Sequence, residues 1–168
     1  KEDRLLATRV IVVRHGQSNF NTRRIIQGRC DESVLTDLGQ QQATRAGEAL
    51  RGLKLAAIYC SPLQRARQTA EIVAAQVEDA PVPSPSDLLR EVNLPLWEKM
   101  SVAEVREKFA DAYAVWKRQP HKFSMDLPSG EYFPVLDLRE QAKAFWQSTL
   151  AKHAGEMIAI VGHNGINR

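Results

Sequence analysis

The sequence predicts an α/β domain, a three-layer α/β/α sandwich around a mostly parallel sheet. Three observations carry this. Short apolar runs alternate with longer segments patterned at helical spacing, as in strand–helix–strand units. The runs Val10–Val13, Leu55–Cys60 and Met157–Val161 are almost uninterrupted by polar residues, as in strands covered on both faces. With 168 residues, 43% of them hydrophobic and 26% charged, the chain can bury one substantial core, so residues 1–168 are read as a single domain.

Each element has its own local signature. Val10–Val13 reads as a strand buried on both faces, followed by a polar loop from Gly16 to Ser33. Thr36 is a candidate N-cap for a helix to about Arg51, whose inward face of Gly39, Ala43, Ala46, Gly47 and Leu50 is small enough to lie close on a sheet. Leu55–Cys60 is the second strand. Ser61-Pro62 predicts an N-cap and first-turn proline for a helix to about Val77, with Ala66, Ala70, Val73 and Val77 on one face. Pro81, Pro83 and Pro85 confine their segment to an edge strand or extended loop. Ser101 to Glu104 reads as a capping box opening an amphipathic helix that ends before Pro120. A further helix spans roughly Tyr132 to His153, and Met157–Val161 is the last strand.

Composition removes several function classes. No stretch approaches the roughly 20 apolar residues that span a bilayer. The polar start Lys1-Glu2-Asp3-Arg4 leads into too short an apolar run for a signal peptide. The net charge of +3 is too small and too evenly spread to argue for a nucleic-acid partner. Cys30 and Cys60 form no CxxC pair and read as free thiols in a reducing cytoplasm. Oligomeric state is not legible. Residue 1 is not Met, which points to a processed, cloned or partly represented chain.

In such a sheet, ligands sit beyond the C-terminal ends of the strands. Three polar clusters fall there: Arg14-His15-Gly16, Ser61 to Arg65, and Gly162-His163-Asn164. Two arginines and two histidines around one cavity suit a phosphate ester. Arginine matches phosphate oxygens with a planar fork, a neutral imidazole can attack phosphorus, and a second histidine can donate protons to the oxygens. No carboxylate cluster is available for Mg²⁺, so neither metal nor cofactor is expected.

These residues resemble the histidine phosphatase superfamily, whose founding fold is that of phosphoglycerate mutase. Arg14-His15-Gly16 followed by Asn21 matches its RHG signature. Gln27-Gly28, Leu35 to Ala43, Ser61 to Ala70, Leu89-Arg90-Glu91 with Trp97-Glu98, and Gly162-His163-Asn164-Gly165 match its further motifs in order. The resemblance covers most of the chain. It implies that His15 is the nucleophile that becomes phosphorylated, that Arg14, Arg65 and His163 bind the phosphoryl group with Asn21 as an additional donor, that Glu91 is the general acid and base, and that Gln27 and Gly28 border the substrate. Pro95 and Lys99 stand where the family has glycine, and Tyr132 where it often has serine. All three are expected around the mouth, where specificity is set.

The expected activity is metal-independent hydrolysis of a small phosphorylated metabolite through a phosphohistidine. A phosphomutase would use the same residues, and a non-catalytic phospholigand-binding domain would keep the site without the chemistry. His121 and His153 match no motif and are expected at the surface. Relatives continue past the last motif with a helix and one more strand, so the domain is expected to be incomplete at its C-terminus, with one sheet face and one edge bare.

Overall fold

The computed structural model describes residues 6–168. In chain order the elements are β1 (Arg9–Arg14), α1 (Asn19–Thr22), α2 (Asp37–Leu50), β2 (Ala57–Cys60), α3 (Gln64–Gln76), β3 (Ser84–Pro85), α4 (Val102–Lys108), α5 (Ala110–Arg118), β4 (Met125–Leu127), β5 (Gly130–Tyr132), α6 (Pro134–Thr149) and β6 (Met157–Gly162).

The main sheet is parallel throughout, in the order β1-β6-β2-β3. Leu50 of α2, Val73 of α3 and Val77 just after it pack on one face against Ile58, Cys60, Ala159 and Val161. Phe145 of α6 packs on the other face against Ile160 and Leu89. The three layers expected from the alternating pattern are therefore present.

The last strand, β6, is the one buried on both faces, from Ile158 onwards. β1 is not. Among the described residues its one neighbour is β6, and Val12 is 49% exposed. Composition could not separate these two strands because both are runs of aliphatic residues; only the pairing order does. A cavity of about 580 Å³, lined by Val12, Phe145, Trp146, Ile160 and Ile166 among others, lies on the α6 side of the sheet.

Helix boundaries differ from expectation in three places, each for a local reason. α3 starts at Gln64 and carries no side-chain cap, because Ser61 and Pro62 complete the turn out of β2. The segment after Ser101 breaks at Phe109, whose backbone (φ −132°, ψ 44°) leaves the helical region and separates α4 from α5. Tyr132 belongs to the β4–β5 hairpin, so α6 starts at Pro134 and tightens into a 3₁₀ turn over Leu150–His153. Thr36 caps α2 as expected, its hydroxyl accepting from the Gly39 amide at 3.0 Å.

A second apolar cluster lies outside the sandwich. Trp97, 2% exposed, is surrounded by Val92, Leu94, Val105, Phe123, Met125 and Leu138. His121 is exposed, as expected. His153 is not a free surface residue: its Nε2 pairs with the Tyr59 hydroxyl at 2.7 Å and its Nδ1 with Glu156 at 3.2 Å. Cys30 and Cys60 are free thiols. Among the described residues no helix is long and apolar enough to cross a membrane.

Lys99 holds φ +68°, a left-handed conformation that a side chain disfavours by about 1–2 kcal/mol. Glycine would relieve that strain and lose about 0.5–1 kcal/mol through the freedom it adds to the unfolded chain. Lys99→Gly is therefore expected to raise stability by about 0.5–1 kcal/mol, read from the denaturant midpoint. The exposed Lys99–Glu32 pair that it removes offsets little.

Candidate active site

The site follows from the strand order. β6 lies between β1 and β2, so their C-terminal ends converge. The His15 amide donates to the Gly162 carbonyl at 3.0 Å, and the Ser61 amide donates to the Val161 carbonyl at 3.0 Å. Residues remote in sequence thus become neighbours. The His15 and His163 rings stand edge to face, with centroids 5.2 Å apart and planes at 62°.

The loop after β1 is pressed against the start of α2. A side chain at Gly16 would run into the Gly39 carbonyl, and one at Gly39 into the Gln17 carbonyl, so both positions need glycine for this approach. The Gly16 amide donates to the Thr69 hydroxyl at 3.0 Å, which ties the loop to α3 as well. His15 is therefore held on a braced turn rather than a free loop.

The His15 ring is 7% exposed. Its Nδ1 donates to the Gly16 carbonyl at 2.6 Å, which places the ring proton there and leaves the Nε2 lone pair for attack. Burial pushes its pKa down to about 4, with Arg65 and Arg14 repelling a further proton and the Gly16 bond partly opposing them. His163 is fully buried and pushed well below the usual histidine value, first by burial and then by Arg65, His15 and Arg14. Its Nε2 pairs with the Ser61 hydroxyl at 2.8 Å, and its Nδ1 has no partner.

Arg65 is 1% exposed on the first turn of α3. Its guanidinium donates to the carbonyls of Gly28 and Cys30, both at 2.8 Å, and its Nε has no partner. A desolvated guanidinium bonded to carbonyls keeps most of its positive charge unneutralised, which costs stability unless an anion completes it. With the unpartnered His163 Nδ1 nearby, the arrangement is suited to an oxyanion.

Sequence reasoning named eight site residues, and seven have distinct places around this point. Arg14, His15, Gln27, Gly28, Arg65 and Glu91 line one cavity of about 220 Å³, together with Asn164. His163 stands edge to face against the His15 ring of that lining. Gln27 accepts from the Ser18 and Ser33 hydroxyls at 2.8 and 2.7 Å. Gly28 sits at φ +51°, and a side chain there would meet Glu98. Glu91 Oε1 accepts from the Val92 and Ile166 amides at 2.8 and 3.1 Å, while Oε2 accepts only from Gly165 at 3.0 Å. The eighth, Asn21, stands apart from the cavity lining: its Oδ1 accepts from the Ser18 amide at 2.9 Å and caps α1. Pro95, Lys99 and Tyr132 do not line the cavity either. Lys99 reaches Glu32, and the Tyr132 hydroxyl donates to Asp137.

Ser61 belongs to the strand-end cluster that the sequence places at the site, but its pairing with His163 is not legible from its capping signature. Ser33 gave no signal in sequence; it is fully buried between Gln27 and the Arg65 guanidinium.

The two buried histidines make stability depend on pH. His15 is at about 4 in the fold against 6.5 in the open chain, so between these values the unfolded chain takes up a proton that the fold refuses. Its contribution is complete above pH 6.5 and is lost as pH falls, by about 3 kcal/mol near pH 4. Denaturant unfolding from pH 7.5 to 4.5 should show stability falling, with a shallower slope in His15→Gln.

Fold and site together define a class, and comparison with known proteins agrees. The histidine phosphatase superfamily (branch 1) family model matches residues 10–168, and this chain belongs to that family. It is similar to a probable 2-carboxy-D-arabinitol-1-phosphatase of Arabidopsis thaliana, 34% identical over 95% of this chain and 32% of the relative. The chain thus spans about a third of that protein's length. A phosphoglycerate mutase-like protein 4 of the same plant is 35% identical over 95% of this chain and 67% of its own. Among solved structures, YhfR of Bacillus stearothermophilus superposes with a TM-score of 0.84 at 34% identity, covering 95% of this chain and 76% of that one.

Proposed function

We propose that this chain hydrolyses the phosphomonoester of a small metabolite through a phosphohistidine on His15, without a metal ion, in the cytoplasm. The observation that carries the reading is the His15 ring itself. It is neutral at physiological pH, carries its proton on Nδ1, and is flanked by two arginines and a second buried histidine. The two free thiols support a reducing compartment.

In the first step His15 Nε2 bonds to phosphorus as the ester P–O bond breaks. Arg14, Arg65 and His163 hold the equatorial oxygens, where charge is spread in the transition state. The leaving alkoxide takes a proton from Glu91. Oε2 is the oxygen suited to carry it, because it accepts one backbone bond where Oε1 accepts two. In the second step water attacks phosphorus, gives its proton back to Glu91, and the N–P bond breaks to release inorganic phosphate. The Asn21 Oδ1 is taken by Ser18, which leaves its Nδ2 as the group able to donate to a phosphoryl oxygen.

Release of inorganic phosphate from an aryl phosphate tests this. Activity is expected to persist in EDTA and to be inhibited by vanadate, which mimics five-coordinate phosphorus. Loss in EDTA restored by Mg²⁺, or no release at all, would overturn it. Transfer of the phosphoryl group to a second hydroxyl instead of water would identify a mutase.

A further inference from the structure

The cavity that holds the reacting groups has two chemically different ends. One end is Arg14, His15, Arg65, Gln27 and Glu91. The other is Ile26, Val92, Leu94, Val102, Tyr113 and Trp116. Resting on the phosphatase reading above, we infer that the site selects phosphomonoesters whose alcohol part is apolar and carries no second acidic group.

Charge supports this first. Among the described residues the arginines lining the cavity are Arg14 and Arg65, and both face the phosphoryl group in the proposed reaction. The remaining charged group in the lining is Glu91, which is acidic. A carboxylate or second phosphate on the alcohol would meet no lysine or arginine there and would sit beside Glu91. Burying an unpaired anion against apolar walls is strongly unfavourable. Arg106 stacks on the Tyr113 ring, 5.3 Å from its centroid, but does not line the cavity; with Arg23 and Arg24 it borders an adjoining groove that meets the cavity at Val102.

Rigidity supports it second. The apolar end is the outer surface of the cluster around Trp97. Trp116 packs edge to face on both Trp97 and Phe123, with centroids 6.3 and 5.3 Å away, and Tyr113 lies 6.2 Å from Trp97. These rings are held by their neighbours, so the wall is formed before a ligand arrives and little ordering is needed to bind. Val102 opens α4, and its amide donates to the Arg24 carbonyl at 2.9 Å, which fixes its place at the rim.

The test compares three alkyl phosphates, so that leaving-group basicity stays similar: 2-phenylethyl phosphate, glycerol 3-phosphate and 3-phosphoglycerate. Expected kcat/KM is about 10-fold higher for the phenylethyl ester than for glycerol 3-phosphate, and about 100-fold higher than for 3-phosphoglycerate. Val102→Lys, a substitution at a half-buried rim position, should raise 3-phosphoglycerate turnover about 10-fold and lower that of the phenylethyl ester. Trp116→Ala should raise KM for the phenylethyl ester about 10-fold more than it raises KM for glycerol 3-phosphate. Equal or faster turnover of 3-phosphoglycerate by the unaltered protein would overturn the inference. If no ester is hydrolysed, the phosphatase reading falls, and calorimetry with 2-phenylethylphosphonate against 2-carboxyethylphosphonate decides the cavity's preference by itself. Tighter binding of the phenyl compound supports it; tighter binding of the carboxylate overturns it.

Discussion

His15→Ala is expected to abolish phosphate release, with a loss of at least about four orders of magnitude in kcat. No other group can replace it. His163 is fully buried, its Nε2 is engaged by Ser61, and its Nδ1 is the nitrogen given to a phosphoryl oxygen in the proposed reaction. The fold should survive. His15 makes one side-chain bond, to the carbonyl of the next residue, while the turn itself is braced by backbone contacts with Gly162, Thr69 and Gly39. The melting temperature at pH 7 should therefore shift only slightly. Brief mixing with a ³²P-labelled ester and an alkaline quench should leave acid-labile label on the unaltered protein and none on the variant. Turnover near the unaltered level in a folded His15→Ala protein would sink the assignment.

Arg65→Ala carries the second-largest expected effect, because the side chain serves two purposes. In the proposed reaction it supplies a preorganised guanidinium to the transferring group, and its loss should cost roughly 2–4 kcal/mol of transition-state stabilisation. In structure its two terminal nitrogens hold the Gly28 and Cys30 carbonyls, so removal leaves buried acceptors unpaired, at about 1–3 kcal/mol. Arg65→Lys separates the two purposes. It restores charge but cannot span both carbonyls and an oxyanion with one ammonium, so activity should return only in part. Measuring kcat/KM and the denaturant midpoint on the same samples checks both. An Arg65→Ala variant with unchanged kcat/KM would show that Arg65 only staples the loop.

The convergence of the candidate residues was legible because they lie at strand ends. His15, Arg65 and His163 each follow an apolar run, and an α/β pattern sends such ends to one edge. Glu91 and Asn21 lay in irregular segments, where no periodicity restricts where a side chain goes. One ended on the cavity wall and the other as a cap for its own short helix.

Sequence by itself determined that strands and helices alternate, that Thr36 starts α2 and that α3 buries Ala66, Ala70 and Val73. Those are local matters of capping chemistry and side-chain spacing. Tertiary structure alone decided that β6 enters between β1 and β2, and this had three consequences. It left β1 paired with β6 alone among the described residues, with Val12 half exposed, although its composition matches a central strand. It turned Ser61 from an apparent cap into the partner of His163. It carried the residues after β6 to the site, Asn164 into the cavity lining and Ile166 onto the apolar cluster around Trp97. Each depends on contacts between residues far apart in the chain, and pairing across such distances is governed by which surfaces bury each other rather than by any neighbour in sequence.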